Sequence, residues 1–149
     1  MITIHSNLTS TSQQAFTLEN KSKFGEKKQG RIVYSIYESL YLIENKKAIG
    51  KIKLKNKEET KNYLVFKDLR KKGYIPKAGL KFGADFRVYV KNEKHAKYLL
   101  HIVNENSKAS FKELLTKTRI SHSTAKKLLI AIIDSQEDIT YLEVNWMKI

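Results

Sequence analysis

The sequence predicts a mixed α/β fold of the α+β kind in two parts, a small N-terminal αβ unit over residues 1–55 and a larger mixed-sheet domain over 56–149. Three observations carry that expectation. First, Asp85 to Lys91 alternates, with Phe86, Val88 and Val90 on one face and Arg87 and Tyr89 on the other, which is the period-2 pattern of a half-buried strand. Second, three segments open with a capping side chain and continue with apolar residues at helical spacing. Third, Leu128 to Ile133 reads LLIAII, a run short for a helix and suited to a buried strand, and Ile139 to Trp146 alternates as its partner would.

Taken in order, Met1 to Gly30 starts with a short apolar stretch at Ile2 to Ile4. A polar patch follows, which reads either as a helix from about Ser12 to Asn20 or as a loop, and then the basic KSKFGEKKQG. Arg31 to Tyr34 is a short strand candidate. Ser35 with Glu38 three residues on makes a capping box, so Ile36 to Asn45 reads as an amphipathic helix whose Tyr37 and Tyr41 pack in the core. Gly50 to Lys55 alternates and predicts a brief strand. Asn56 and Glu59 start a helix that Gly73 ends after Lys72. Its apolar stripe is Tyr63, Leu64, Phe66 and Leu69, and Lys61, Lys67, Arg70, Lys71 and Lys72 read as a solvated face. Pro76, with no N–H to donate, puts Tyr74 to Lys77 at a sheet edge, and Gly79 and Gly83 mark tight turns or close backbone approach. A turn over Lys91 to Lys94 leads to His95 and to a paired strand, Tyr98 to Val103. Ser110 and Glu113 cap a helix from Phe111 to about Arg119, and Ile120 to Ala125 is ambiguous between helix and turn.

Lys and Arg number 29 against 15 acidic residues, a net charge of +14 in 149 residues. An excess of that size points to a polyanionic partner, because each phosphate neutralised releases a condensed counterion. No apolar run approaches a membrane span, and the N-terminus has no signal-peptide pattern, so a membrane is not the expected partner and a cytoplasmic location is. There is no cysteine, and the four histidines show no ligand spacing; no metal and no cofactor are expected.

The run YLVFKDLRKKGYIPKAGLKFGADFRVYV, then His95, then RISHSTAKKLLIAIID, resembles the catalytic domain of the archaeal tRNA-intron splicing endonucleases over roughly Tyr63 to Val144. The resemblance implies a restriction-endonuclease-like nuclease domain and metal-independent cleavage of precursor tRNA at a bulge-helix-bulge motif. By motif, the tyrosine of GADFxxY falls on Tyr89, the histidine after it on His95, and the lysine opening the KKL strand on Lys126. These residue types fit the chemistry: RNA carries its own nucleophile, the 2′-hydroxyl, and the protein need supply only a base, an acid and a cation. The resemblance implies Tyr89 as base, His95 as acid and Lys126 as the charge that stabilises the crowded phosphate. Products would be a 2′,3′-cyclic phosphate and a 5′-hydroxyl. A free phenol ionises near pH 10, so nearby cations must assist, or the proton must move within the transition state.

Alternatives stand beside each assignment. Lys127 adjoins Lys126, and only the motif selects the first. His122 is a rival acid that the motif does not select, His101 reads as a core or interface histidine, and His5 has no context. Arg119 is the matched candidate for stacking on an unpaired base; Trp146 or Tyr141 is a second, with Trp146 equally a dimer anchor. The acidic turn Asp134 to Asp138, with Glu137 between, resembles the family's loop that enters a basic cleft of another subunit, and the last strand, with Tyr141, resembles its dimer edge. The resemblance thus implies an oligomer. Compact connections favour a heterotetramer with a second, structural subunit over a homotetramer. Two other functions compete: a non-catalytic RNA-binding subunit, and a metal-dependent nuclease with Asp85 as ligand, against which Asp85 reads as a strand-start residue bonding backbone.

Overall fold

The computed structural model describes all 149 residues, which divide into two compact units, Met1–Thr60 and Lys61–Ile149. The division falls five residues past the expected 55/56 boundary, inside a helix.

In the first unit, β1 (Ile2–Thr3) pairs in parallel with β5 (Ala48–Ile49). A second, antiparallel sheet runs in the order β2 (Thr9–Ser10), β4 (Arg31–Val33), β3 (Glu26–Lys28). The polar patch resolves as a helix, α1 (Gln13–Ser22), whose Ser12 hydroxyl accepts the Ala15 N–H. α2 (Ile36–Glu44) begins with the expected capping box: the Ser35 hydroxyl accepts from the Glu38 N–H and a Glu38 carboxylate oxygen accepts from the Ser35 N–H. Glu38 is itself buried, and its other oxygen accepts the Gly25 N–H at 2.7 Å, so one carboxylate ties the loop before β3 to the start of α2. Tyr41 stacks on Phe24 at 5.7 Å. The strand expected over Gly50 to Lys55 does not form. Its place in the chain is taken by β5, two residues earlier, because β1 offers only a two-residue partner.

In the second unit, five strands form one mixed sheet in the order β10 (Ile139–Val144), β9 (Lys127–Ile133), β8 (Tyr98–Asn104), β7 (Phe86–Tyr89), β6 (Ile75–Ala78). Every neighbouring pair is antiparallel except β8 and β9, which run parallel and are joined by α4 (Phe111–Ser123). Pro76 lies on β6, at the edge, as its missing donor requires. Leu128 and Leu129 point to opposite faces of β9. α4 covers the Leu128 face, and α3 (Lys57–Lys71) covers the Leu129 face, where Phe66 meets Phe86 at 6.1 Å. The buried stripe of α3 is Tyr63, Val65, Phe66 and Leu69, with Val65 in place of the expected Leu64. Two of its cations lie over rings rather than in open solvent: Lys67 Nζ is 4.9 Å from the Tyr63 centroid, and the Arg70 guanidinium 5.9 Å from that of Phe66.

Gly73 ends α3 as expected, at φ +88°, with the Gly73 and Tyr74 N–H groups donating to the Arg70 and Leu69 carbonyls. Gly79 meets the other expectation for this stretch: a Cβ there would stand 2.7 Å from the Ala84 carbonyl oxygen. No helix is long and apolar enough to cross a membrane.

Candidate active site

The hydrogen-bond register brings Tyr89, His95 and Lys126 to one end of the five-stranded sheet. Val88 pairs with Tyr98 and Tyr98 with Lys127, so these three form a row across β7, β8 and β9. Lys97 binds both neighbours, donating its N–H to the Val88 carbonyl (2.8 Å) and accepting the Lys127 N–H (2.9 Å). One step along the register, Tyr89, Lys97 and Lys126 form the next row, and two strand spacings separate the outer pair by roughly 10 Å of backbone. His95 is exposed in the bend two residues before Lys97, in the loop that joins β7 to β8 at this same end.

Each group is set by its local structure. Tyr89 closes β7, half-buried, and its phenol oxygen accepts the Arg87 Nε–H at 3.0 Å. Lys126 lies just ahead of β9, at the end of α4. That helix runs four residues past Arg119, so the ambiguous segment is mostly helical. It closes with paired bonds: the Ala125 N–H donates to the His122 carbonyl at 3.0 Å and the Lys126 N–H to the Ser121 carbonyl at 2.8 Å. This is a Schellman cap, and the left-handed position that usually holds glycine is occupied by Ala125 at φ +57°. The Lys126 ammonium donates to the Thr124 carbonyl at 3.1 Å and stands 5.0 Å from the Phe82 ring centroid, a contact between residues 44 apart that no local pattern announces. Phe82 belongs to a 3₁₀ turn, Leu80–Phe82, between β6 and β7.

Beside Lys126 opens a groove of about 540 Å³ that also includes His122, Lys127 and Trp146 in its lining; Tyr89 and His95 do not line it. His122 and Trp146 lie with ring centroids 4.6 Å apart. Arg119 is exposed on α4. Tyr141 lies on the opposite, α3-covered face. Its hydroxyl donates to Asp68 at 2.6 Å, Lys72 donates to the same carboxylate oxygen at 2.8 Å, and the Lys72 ammonium is 4.9 Å from the Tyr141 centroid. Burial, followed by the Asp68 carboxylate, holds the Tyr141 phenol well above its usual range. Burial alone would push the Asp68 carboxyl up, but hydrogen bonds from Lys72 and Tyr141 outweigh it and hold the group below its ordinary 3.8.

Asp134 organises the acidic turn from within. One carboxylate oxygen accepts the Gln136 and Asp138 N–H groups, each at 2.9 Å, while Glu137 and Asp138 are exposed. Asp85 accepts the Ile102 N–H at 2.7 Å, so it bonds backbone of the neighbouring strand rather than of its own turn. His101 is buried at the centre of β8, as expected for a core histidine.

Residues 60–141 match the family model of the tRNA intron endonuclease, catalytic C-terminal domain, a span that includes Tyr89, His95 and Lys126 and stops short of Trp146. The chain is 40% identical to the tRNA-splicing endonuclease of Thermococcus kodakarensis over 156 aligned positions, covering 93% of this chain and 92% of that protein. It is 38% identical to that of Thermococcus gammatolerans at the same coverage, and 34% identical to that of Pyrococcus abyssi over 93% and 91% of the two chains. On its fold and on these matches, the chain belongs to the tRNA-splicing endonuclease family.

Proposed function

We propose that this protein is the catalytic subunit of a cytoplasmic tRNA-splicing endonuclease, cutting precursor tRNA at intron–exon junctions presented as bulge-helix-bulge RNA. The observation that best supports this is the register bringing Tyr89, His95 and Lys126 to one end of a single sheet, within the span matched by the family's catalytic domain.

In this reading Tyr89 enters the step ionised, and its oxygen takes the proton of the 2′-hydroxyl, becoming a neutral phenol, as the 2′-oxygen bonds to phosphorus. The Lys126 ammonium stabilises the charge gathering on the phosphoryl oxygens. As the bond from phosphorus to the 5′-oxygen breaks, the His95 imidazolium supplies the proton that oxygen needs; histidine suits the task because it exchanges a proton near neutrality. The ends are a 2′,3′-cyclic phosphate and a 5′-hydroxyl. Base, acid and cation all come from side chains, so the step calls for no metal ion.

Arg119 and Trp146 are proposed RNA contacts, Trp146 through the groove it shares with Lys126. Asp134, Glu137, Asp138 and Tyr141 are proposed to lie at a subunit interface: β10 is a sheet edge, and an open edge recruits a strand. The chain spans nine-tenths of its relatives' length. Size therefore does not separate a heterotetramer with a structural subunit from a homotetramer; the mass of the purified chain does.

The deciding experiment incubates the full chain, alone and with a candidate second subunit, with a bulge-helix-bulge RNA in excess EDTA, and identifies the new ends. Cleavage to a cyclic phosphate is the expected result. RNA binding without cleavage in either arm would instead favour a non-catalytic RNA-binding subunit. Cleavage abolished by EDTA would favour a metal-dependent nuclease.

A further inference from the structure

We infer that Arg87 is a positioning residue for Tyr89, holding the phenol oxygen at the place and angle from which it takes the 2′-hydroxyl proton; the inference rests on the reading of Tyr89 as the base. Arg87 and Tyr89 are two apart on β7, hence on the same face, and both are half-buried. The Arg87 Nε–H donates to the Tyr89 oxygen at 3.0 Å and the Nη1–H to the Ala78 carbonyl at 2.9 Å, while the guanidinium carbon lies 5.7 Å from the Tyr89 ring centroid. Ala78 belongs to β6, which pairs with β7 at Ala78–Phe86 and Lys77–Arg87. The guanidinium is thus braced by the backbone of the adjoining strand, which does not move with side-chain rotamers.

The direction of the bond matters. A phenol oxygen that accepts from Arg87 has its hydrogen, or its other lone pair, directed away from the guanidinium. The guanidinium is charged whichever form the phenol takes, so the bond is charge-assisted before and after the proton transfer and Arg87 keeps its grip throughout. Two of its donors are committed within the subunit, which favours holding Tyr89 over gripping an RNA phosphate. A lysine cannot substitute, because a single nitrogen cannot span both acceptors in the fixed geometry of the guanidinium fork.

The test is a double-mutant cycle between Arg87→Met and Tyr89→Phe, measured as steady-state cleavage of bulge-helix-bulge RNA by the full chain, with KM and kcat separated. Arg87→Met is expected to lower kcat on the order of a hundredfold, the loss typical of a misplaced catalytic group, with KM nearly unchanged. In the Tyr89→Phe background the same change should cost less than about twofold, since the hydroxyl through which Arg87 acts is already gone. Arg87→Lys, which keeps the charge and most of the bulk, should fall between, and it carries the cycle if Arg87→Met does not fold. Equal losses in both backgrounds, a loss confined to KM, or no loss at all would each overturn the inference while leaving Tyr89 as the base. An unaltered rate for Tyr89→Phe alone would overturn the role of Tyr89, and this inference with it.

Discussion

Ala125 and Gly73 occupy the same position in the same helix-ending motif, and only one of them announces it. Gly73 marked the end of its helix in the sequence because glycine is at ease with positive φ; alanine carries no such signal, so the turn into Lys126 was not legible. Left-handed backbone costs an alanine about 1–2 kcal/mol. Part of that is offset by the freedom glycine has when unfolded, so Ala125→Gly should raise stability by roughly 0.5–1 kcal/mol. The measurement is the denaturation midpoint, with cleavage retained because the Ala125 and Lys126 N–H bonds survive. His95 makes the opposite kind of prediction. It is exposed and outside any strand, so His95→Ala should leave stability nearly alone while slowing cleavage by about a hundredfold or more, as for loss of a general acid. An unaltered rate removes His95 from the mechanism. The motif named Tyr89, His95 and Lys126, and alternation put Arg87 on the face of Tyr89; neither could name Phe82 as the neighbour of Lys126, because that contact joins residues far apart in the chain.

At the scale of elements, capping was the most legible feature. Ser35, Asn56 and Ser110 each accept the N–H three residues on, as their spacing implied. Alternation was a weaker guide: it served for β7, whose neighbours exist, and failed at Gly50 to Lys55, where no strand long enough waits to be paired. The central strand β8 carries a pH prediction. Burial, then the nearby Lys117, pushes His101 below its ordinary 6.5, and Asp85 opposes only in part. The unfolded chain therefore binds a proton that the folded one resists. The stability this group permits is complete above about pH 6.5 and declines as pH falls from there toward the lowered folded value. Denaturation midpoints from pH 8 to pH 5 should decline more steeply in the natural protein than in His101→Leu. Parallel slopes would exclude His101 as the source.

Across the whole molecule, net charge was legible at once and strand order was not, since a parallel pair has no tight turn to announce it. The charge of +14 predicts that raising monovalent salt from 50 to 200 mM weakens RNA binding by on the order of a hundredfold, the loss expected for about four neutralised phosphates. Fluorescence anisotropy with a non-cleavable RNA reads it directly, and a flat salt response would mean that the basic surface faces elsewhere. The parallel pairing of β8 with β9 has a consequence for the birth of the protein. Tyr89 and His95 leave the ribosome together on a hairpin that can close locally, whereas Lys126 follows only after the whole of α4 and docks by a longer-range crossover. A nascent chain interrupted before that helix would carry Tyr89 and His95 without Lys126, so on the proposed assignment the set of three is completed only once the crossover has docked.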